Sequence, residues 1–109
     1  VVEADGPLSD LLVDRSDAAS RARSWTVPVP YRSTGADLVA AREAGAEVVE
    51  MEAASLFAAG RALGIAAAAA VVISDVQRAD APVSVDWSDT TGPLVAAVDA
   101  AIDASRARY

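Results

Sequence analysis

The run AEVVEMEAASLFAAGRALGIAAAAAVVISD, residues 46–75, constrains the fold of this chain more than any other stretch. It opens on a short β-branched segment, AEVVE (46–50), whose composition favours an extended strand. AASLFAAGRALG (53–64) follows with helical spacing, placing Leu56, Ala59 and Leu63 on one apolar face and Gly64 at its stop. IAAAAAVVISD (65–75) is a continuous apolar run closing on polar residues. Alanine by itself favours helix. The preceding Gly64 and the terminal Val-Val-Ile instead favour a strand buried on both faces. Strand, helix and strand at this spacing predict a βαβ unit with parallel strands, and so an α/β class of fold.

The flanking segments fit around that unit. PLSDLLVD (7–14) reads as a short helix with Pro7 in its first turn, and residues 15–23 as loop. SWTVPV (24–29) has strand composition, but Pro28 and Pro30 push it to a sheet edge or an exit into a loop. Residues 34–46 read as a helix with Thr34 or Asp37 near its start and Gly45 near its end. Residues 76–89 are loop-like, and 91–108 form a terminal amphipathic helix with Pro93 in its first turn and two arginines in its last. With 109 residues the chain has room for one small domain, and 53% hydrophobic residues argue against disorder. The opening Val1, in place of a methionine, is expected of a processed chain or a piece of a longer one.

Composition removes many kinds of chemistry. The chain has no Cys and no His, and every basic residue is Arg. Thiolate nucleophiles, imidazole bases, Schiff-base lysines and the usual zinc ligand sets are therefore unavailable, and no metal site is expected. A formal charge of -7 disfavours nucleic acid and anionic membrane surfaces as partners. No apolar run is long enough to span a bilayer and no signal peptide is visible, so a cytoplasmic setting is the expectation.

What remains is carboxylate chemistry at the strand ends. In open α/β sheets, ligands bind beyond the carboxyl ends of the strands. One predicted strand ends in Glu50-Met51-Glu52 and the other in Ser74-Asp75. Neighbouring parallel strands would set these at one sheet edge. A cleft of carboxylates with few cations suits a neutral, hydroxyl-rich ligand, because a carboxylate accepts two hydrogen bonds from a vicinal diol. Methionine supplies an adaptable apolar wall, and a partly buried acid can donate a proton. Each residue taken singly also has a structural explanation. Glu52 opens a helix, where the dipole favours an acid; Glu50 can be solvated at a strand exit; Met51 can be core; Ser74-Asp75 can be turn chemistry.

VVEMEAASLFAAGRALGI…VVISD resembles the signature of the nucleoside phosphorylase family, which includes purine nucleoside phosphorylases, uridine phosphorylases and methylthioadenosine/S-adenosylhomocysteine nucleosidases. The family pattern is a V-E-M-E-[AGS]-A run followed by a strand ending in S-D. Here Asp75 follows Glu52 by 23 positions, the spacing of the purine-type members. The resemblance is clearest from Trp25 onward. It implies that Glu52 holds the ribose hydroxyls, Met51 packs against the sugar and Glu50 lies near it. It further implies that Asp75, preceded by Ser74, hydrogen-bonds or protonates purine N7 as the base leaves. SWTVPVPYRST resembles the segment that brings an aromatic to the base, with Tyr31 the stacking candidate and Trp25 the second. The implied activity is phosphorolysis of purine nucleosides, with phosphate as co-substrate and no cofactor. Hydrolysis by a nucleosidase of the same fold, and a non-catalytic nucleoside-binding module, are the alternatives.

The chain also departs from the family. Many relatives have an aspartate near Pro28 that is absent here, and Ser88 stands where some purine phosphorylases have an arginine, with Arg78 nearby but out of register. Family domains are roughly twice this length. The resemblance therefore implies the C-terminal half of a three-layer α/β/α sandwich, bearing the sugar and base side of the site. The phosphate-binding half would come from elsewhere, and a homo-oligomer or association with a chain that supplies that half is the expected partner arrangement. A sheet cut in this way would leave an edge and an apolar face exposed.

Overall fold

The computed structural model describes residues 1–28, 34–76 and 90–108. Its elements are α1 (Gly6–Asp14), β1 (Ser24–Thr26), α2 (Gly35–Glu43), β2 (Val48–Glu50), α3 (Ala53–Leu63) and α4 (Thr91–Arg108).

The helix boundaries follow from local chemistry. Asp5 caps α1, its carboxylate accepting the Leu8 N–H at 2.8 Å, with Pro7 in the first turn where a missing N–H costs no hydrogen bond. Thr34 and Asp37 form a reciprocal capping box at α2: the Thr34 hydroxyl accepts the Asp37 N–H, and the Asp37 carboxylate accepts the Thr34 N–H at 2.8 Å. The Thr34 N–H and hydroxyl hold the Asp37 carboxyl below its usual range. α2 and α3 stop in the same way, on a glycine in the left-handed region, Gly45 at φ 89° and Gly64 at φ 67°. In each, the residue after the glycine donates back five positions: Ala46 N–H to Ala41 C=O, and Ile65 N–H to Gly60 C=O, both at 2.9 Å.

β1 and β2 form a two-stranded parallel sheet, with Ser24 opposite Val48, Trp25 opposite Val49 and Thr26 opposite Glu50. α2 is the crossover between them. The predicted parallel unit is thus found one step earlier in the chain than expected. The expected strand over 65–75 is not formed: among the described residues, 65–76 carry no helix or strand. Five consecutive alanines have little β preference and no branched side chains to pack on a pleated surface. The segment instead turns back over α3 and is tied at Ala67, whose carbonyl accepts the Asp5 N–H at 2.7 Å. The described residues are therefore mixed α/β, built on a two-stranded parallel sheet.

The expected inward face of α3 is also corrected. Leu56, Ala59 and Leu63 are exposed, while Ala53 and Gly60 are buried and Phe57 is half-buried. Gly60 decides this, because the returning chain lies where its side chain would be. A Cβ there would stand 2.8 Å from the Ala67 Cβ and 2.9 Å from the Ile65 carbonyl oxygen. Among the described residues the buried apolar side chains are small: Val27, Ala53, Ala100 and Ala104. α4 packs on α1, and its buried positions are Ala100 and Ala104. Leu94, Val98 and Ile102 form a separate stripe on α4 that is exposed.

Gly60→Ala is expected to destabilise the protein by about 1–3 kcal/mol through overpacking against backbone, despite alanine's better helix propensity. Gly64→Ala, which meets no atom within 4 Å, is expected to cost about 1–2 kcal/mol from backbone strain alone. Urea denaturation of both variants checks this. A Gly60→Ala protein as stable as wild type would show that residues 65–67 do not lie against α3.

Candidate functional site

The parallel register puts Thr26 and Glu50 side by side on one face of the sheet, at the point where β2 ends and the chain turns into α3. The Thr26 hydroxyl donates to Glu50 Oε1. The same hydroxyl accepts the Ala54 N–H at 3.1 Å. Glu50 Oε2 accepts the N–H groups of Glu52 and Ala53, each at 2.6 Å. Two side chains from two strands thus satisfy the first backbone donors of α3, which a helix leaves without intrahelical partners.

Glu50 is therefore the acid that caps α3. Glu52 stands at the N-cap position and makes no side-chain capping bond. Burial pushes the Glu50 carboxyl up, but the Thr26 hydroxyl, the Ala53 and Glu52 N–H groups and, least, the Ser24 hydroxyl outweigh it. The net effect is a pKa below the ordinary 4.5. Glu50 is held as a carboxylate by donors of the protein itself. The Glu52 carboxylate is exposed and, among the described residues, accepts no hydrogen bond. Met51 between them is 50% exposed. The turn presents a free carboxylate and a thioether side by side, on a backbone fixed from both flanks.

Ser74 and Asp75 are half-buried on the irregular segment that follows α3, and not at the end of a paired strand. Asp75 Oδ2 is shielded from solvent and has no hydrogen-bond partner among the described residues. An unpaired buried carboxylate oxygen is costly, which marks Asp75 as a group with an unmet need for a donor. Among the described residues no hydrogen bond or ion pair joins Ser74 or Asp75 to the Glu50–Glu52 turn. Trp25 is half-buried on β1. Tyr31, Arg78 and Ser88 lie outside the described residues.

Thr26 is the residue the sequence reading missed. Its signal was a hydroxyl at an alternate strand position to Ser24, but the partner that gives it meaning lies 24 positions away. A cavity of about 330 Å³ sits at the opposite end of α3, lined in part by Phe57, Arg61, Ile65 and Arg108. It contains none of the six candidate residues.

A family model described as the phosphorylase superfamily matches residues 2–105. The match takes in both strands, the acidic turn and the Ser74-Asp75 segment. Neither the curated proteins nor the solved structures gave a match. The chain belongs to the phosphorylase superfamily, the family of the nucleoside phosphorylases and nucleosidases.

The capping carboxylate carries a pH signature. Because the folded-state pKa of Glu50 is depressed, its contribution to stability is complete above the unfolded value of about 4.5 and is lost as pH falls through the lower folded value. Glu50→Gln is therefore expected to be less stable than wild type at pH 7, with the gap closing toward pH 3. Urea midpoints of the two proteins across that range measure it. A gap that does not change with pH would show that the Glu50 charge has no part in holding α3.

Proposed function

We propose that this member of the phosphorylase superfamily carries the ribose- and base-binding side of a site that cleaves the N-glycosidic bond of purine nucleosides by phosphorolysis. The observation that carries the proposal is the Met51–Glu52 turn, whose free carboxylate and apolar neighbour stand on a clipped strand-to-helix junction inside the family match. In this reading Glu52 accepts the two ribose hydroxyls, Met51 packs against the sugar, and Glu50 lies beside it while holding the turn. Asp75, with Ser74 beside it, meets purine N7 through its unpartnered oxygen, and Tyr31 stacks on the base. A phosphate oxygen attacks C1′ as the C1′–N9 bond breaks, and hydrogen bonding or proton transfer at N7 relieves the charge on the departing base.

Phosphate needs a separate home. A helix N-terminus is a ready anion site, but at α3 the Glu50 carboxylate already occupies two of the leading N–H groups. In this reading the start of α3 does not hold the phosphate, and a further stretch of polypeptide or a partner subunit is proposed to supply the groups that do. The exposed Leu94, Val98 and Ile102 stripe of α4 and the exposed Leu56 and Leu63 of α3 offer apolar surface for such a neighbour.

Incubation with inosine and with methylthioadenosine, with and without phosphate, tests the proposal. The sugar 1-phosphate (ribose 1-phosphate from inosine, 5-methylthioribose 1-phosphate from methylthioadenosine) formed only in the presence of phosphate is the expected result; the free sugar formed in its absence would establish a nucleosidase instead. Glu52→Gln is expected to weaken nucleoside binding about tenfold to a hundredfold, the loss of a charge-assisted hydrogen bond. Asp75→Asn is expected to lower kcat by about 10² to 10⁴. Unchanged nucleoside binding in both variants would sink the site assignment.

A further inference from the structure

We propose that Thr26 is a positioning residue for the nucleoside site, acting through Glu50 to fix where the Met51–Glu52 turn presents its carboxylate. The inference rests on the proposed function for its ligand and on the hydrogen bonds around Glu50 for its geometry.

A threonine hydroxyl has one proton and two lone pairs. Thr26 uses the proton on Glu50 Oε1 and a lone pair on the Ala54 N–H. It thereby joins the acid that caps α3 to the helix being capped, from a strand that is 28 positions distant from Ala54. Only Met51 and Glu52 lie between the last residue of β2 and the first of α3. Glu50 Oε2 holds this two-residue turn by the Glu52 and Ala53 N–H groups, and Thr26 holds the other oxygen of the same carboxylate. A carboxylate gripped at both oxygens cannot rotate about its Cγ–Cδ bond without breaking one grip. The orientation of the Glu52 backbone N–H, and with it the start of the Glu52 side chain, follows from that grip. Released from Thr26, the Glu50 side chain keeps its contacts to the turn but loses its strongest side-chain tie to β1, with only the weaker Ser24 hydroxyl left on that strand. The Ala54 N–H loses its partner at the same time. Thr26 need not touch the sugar to govern how well Glu52 meets it. A pair of hydroxyls accepted by one carboxylate is sensitive to small displacement of that carboxylate.

Thr26→Val removes the donor and keeps the shape; Thr26→Ser keeps the hydroxyl. The expected result has two parts. In Thr26→Val, hydrogen exchange at the Glu52 and Ala53 amides speeds up along with that at Ala54. In the same protein KM for the nucleoside rises about tenfold while kcat changes by less than about threefold. Thr26→Ser restores both. A residue that merely capped the helix would loosen only the Ala54 amide and leave KM alone, and that pattern would overturn the inference. So would a Thr26→Val protein indistinguishable from wild type in both measurements. Should Thr26→Val fail to fold by circular dichroism, the Thr26→Ala and Thr26→Ser pair gives the same comparison. A wild-type protein that neither binds nor cleaves nucleosides would defeat the proposed function, and the inference about ligand binding with it. Amide exchange in that protein would still show whether Thr26 sets the turn.

Discussion

The Glu50 carboxylate is where β1, β2 and α3 meet. It belongs to the last residue of β2, takes the Thr26 hydroxyl from β1 and closes the first turn of α3 through two backbone N–H groups. Remove the charge and each element loses something different: the sheet loses a cross-strand pair, the helix loses its cap, and the turn between them loses its anchor. Other contacts in this region are small. The strands are three residues long, and a two-stranded sheet of that size has little stability of its own. The acid therefore carries an unusual share of the local order. Its depressed pKa is the electrostatic expression of the same arrangement.

How much of this was legible in the sequence depends on the range of the interactions involved. Helix positions and stops were legible because their causes are local. Pro7, the Thr34–Asp37 box, Gly45 and Gly64 each act within a few residues, and each sits where its chemistry placed it. The 65–75 strand was not, because a strand exists only with a partner and the apolar pattern names none. Ala67 and the Ile65 carbonyl lie against Gly60 instead. The inward face of α3 was misjudged for the same reason: leucine spacing suggested one face, and the returning chain selected another. At the site, the acids were visible as an unusual cluster, but their division of labour was not. Glu50 and Glu52 are of one residue type two positions apart, and the structural acid is separated from the free one by the Thr26 contact across the sheet together with the two N–H groups at the start of α3.

Apolar surface sets the other constraint on the domain. Over half the residues are hydrophobic, yet the buried apolar side chains among the described residues are mostly alanines. Burial of an alanine contributes far less than burial of a leucine or isoleucine. α4 shows the imbalance most clearly, with its small residues against α1 and its branched ones in solvent. This division leaves α4 with a second, apolar face that the described residues do not cover.

The three-pair register of the sheet has a consequence for assembly of the fold. Strands this short specify their alignment weakly, and a slip of one residue reverses which side chains share a face. Slipped by one, β1 would set Trp25 or Val27 opposite Glu50; Val27 has no polar group and the Trp25 indole donates but cannot accept, so neither reproduces a hydroxyl that donates to Glu50 and accepts the Ala54 N–H. The acid would then be left at a helix start with half its partners. Recognition of one hydroxyl by one carboxylate thus acts as an error check on the sheet, and the geometry proposed to hold a sugar is available only to chains that have passed it.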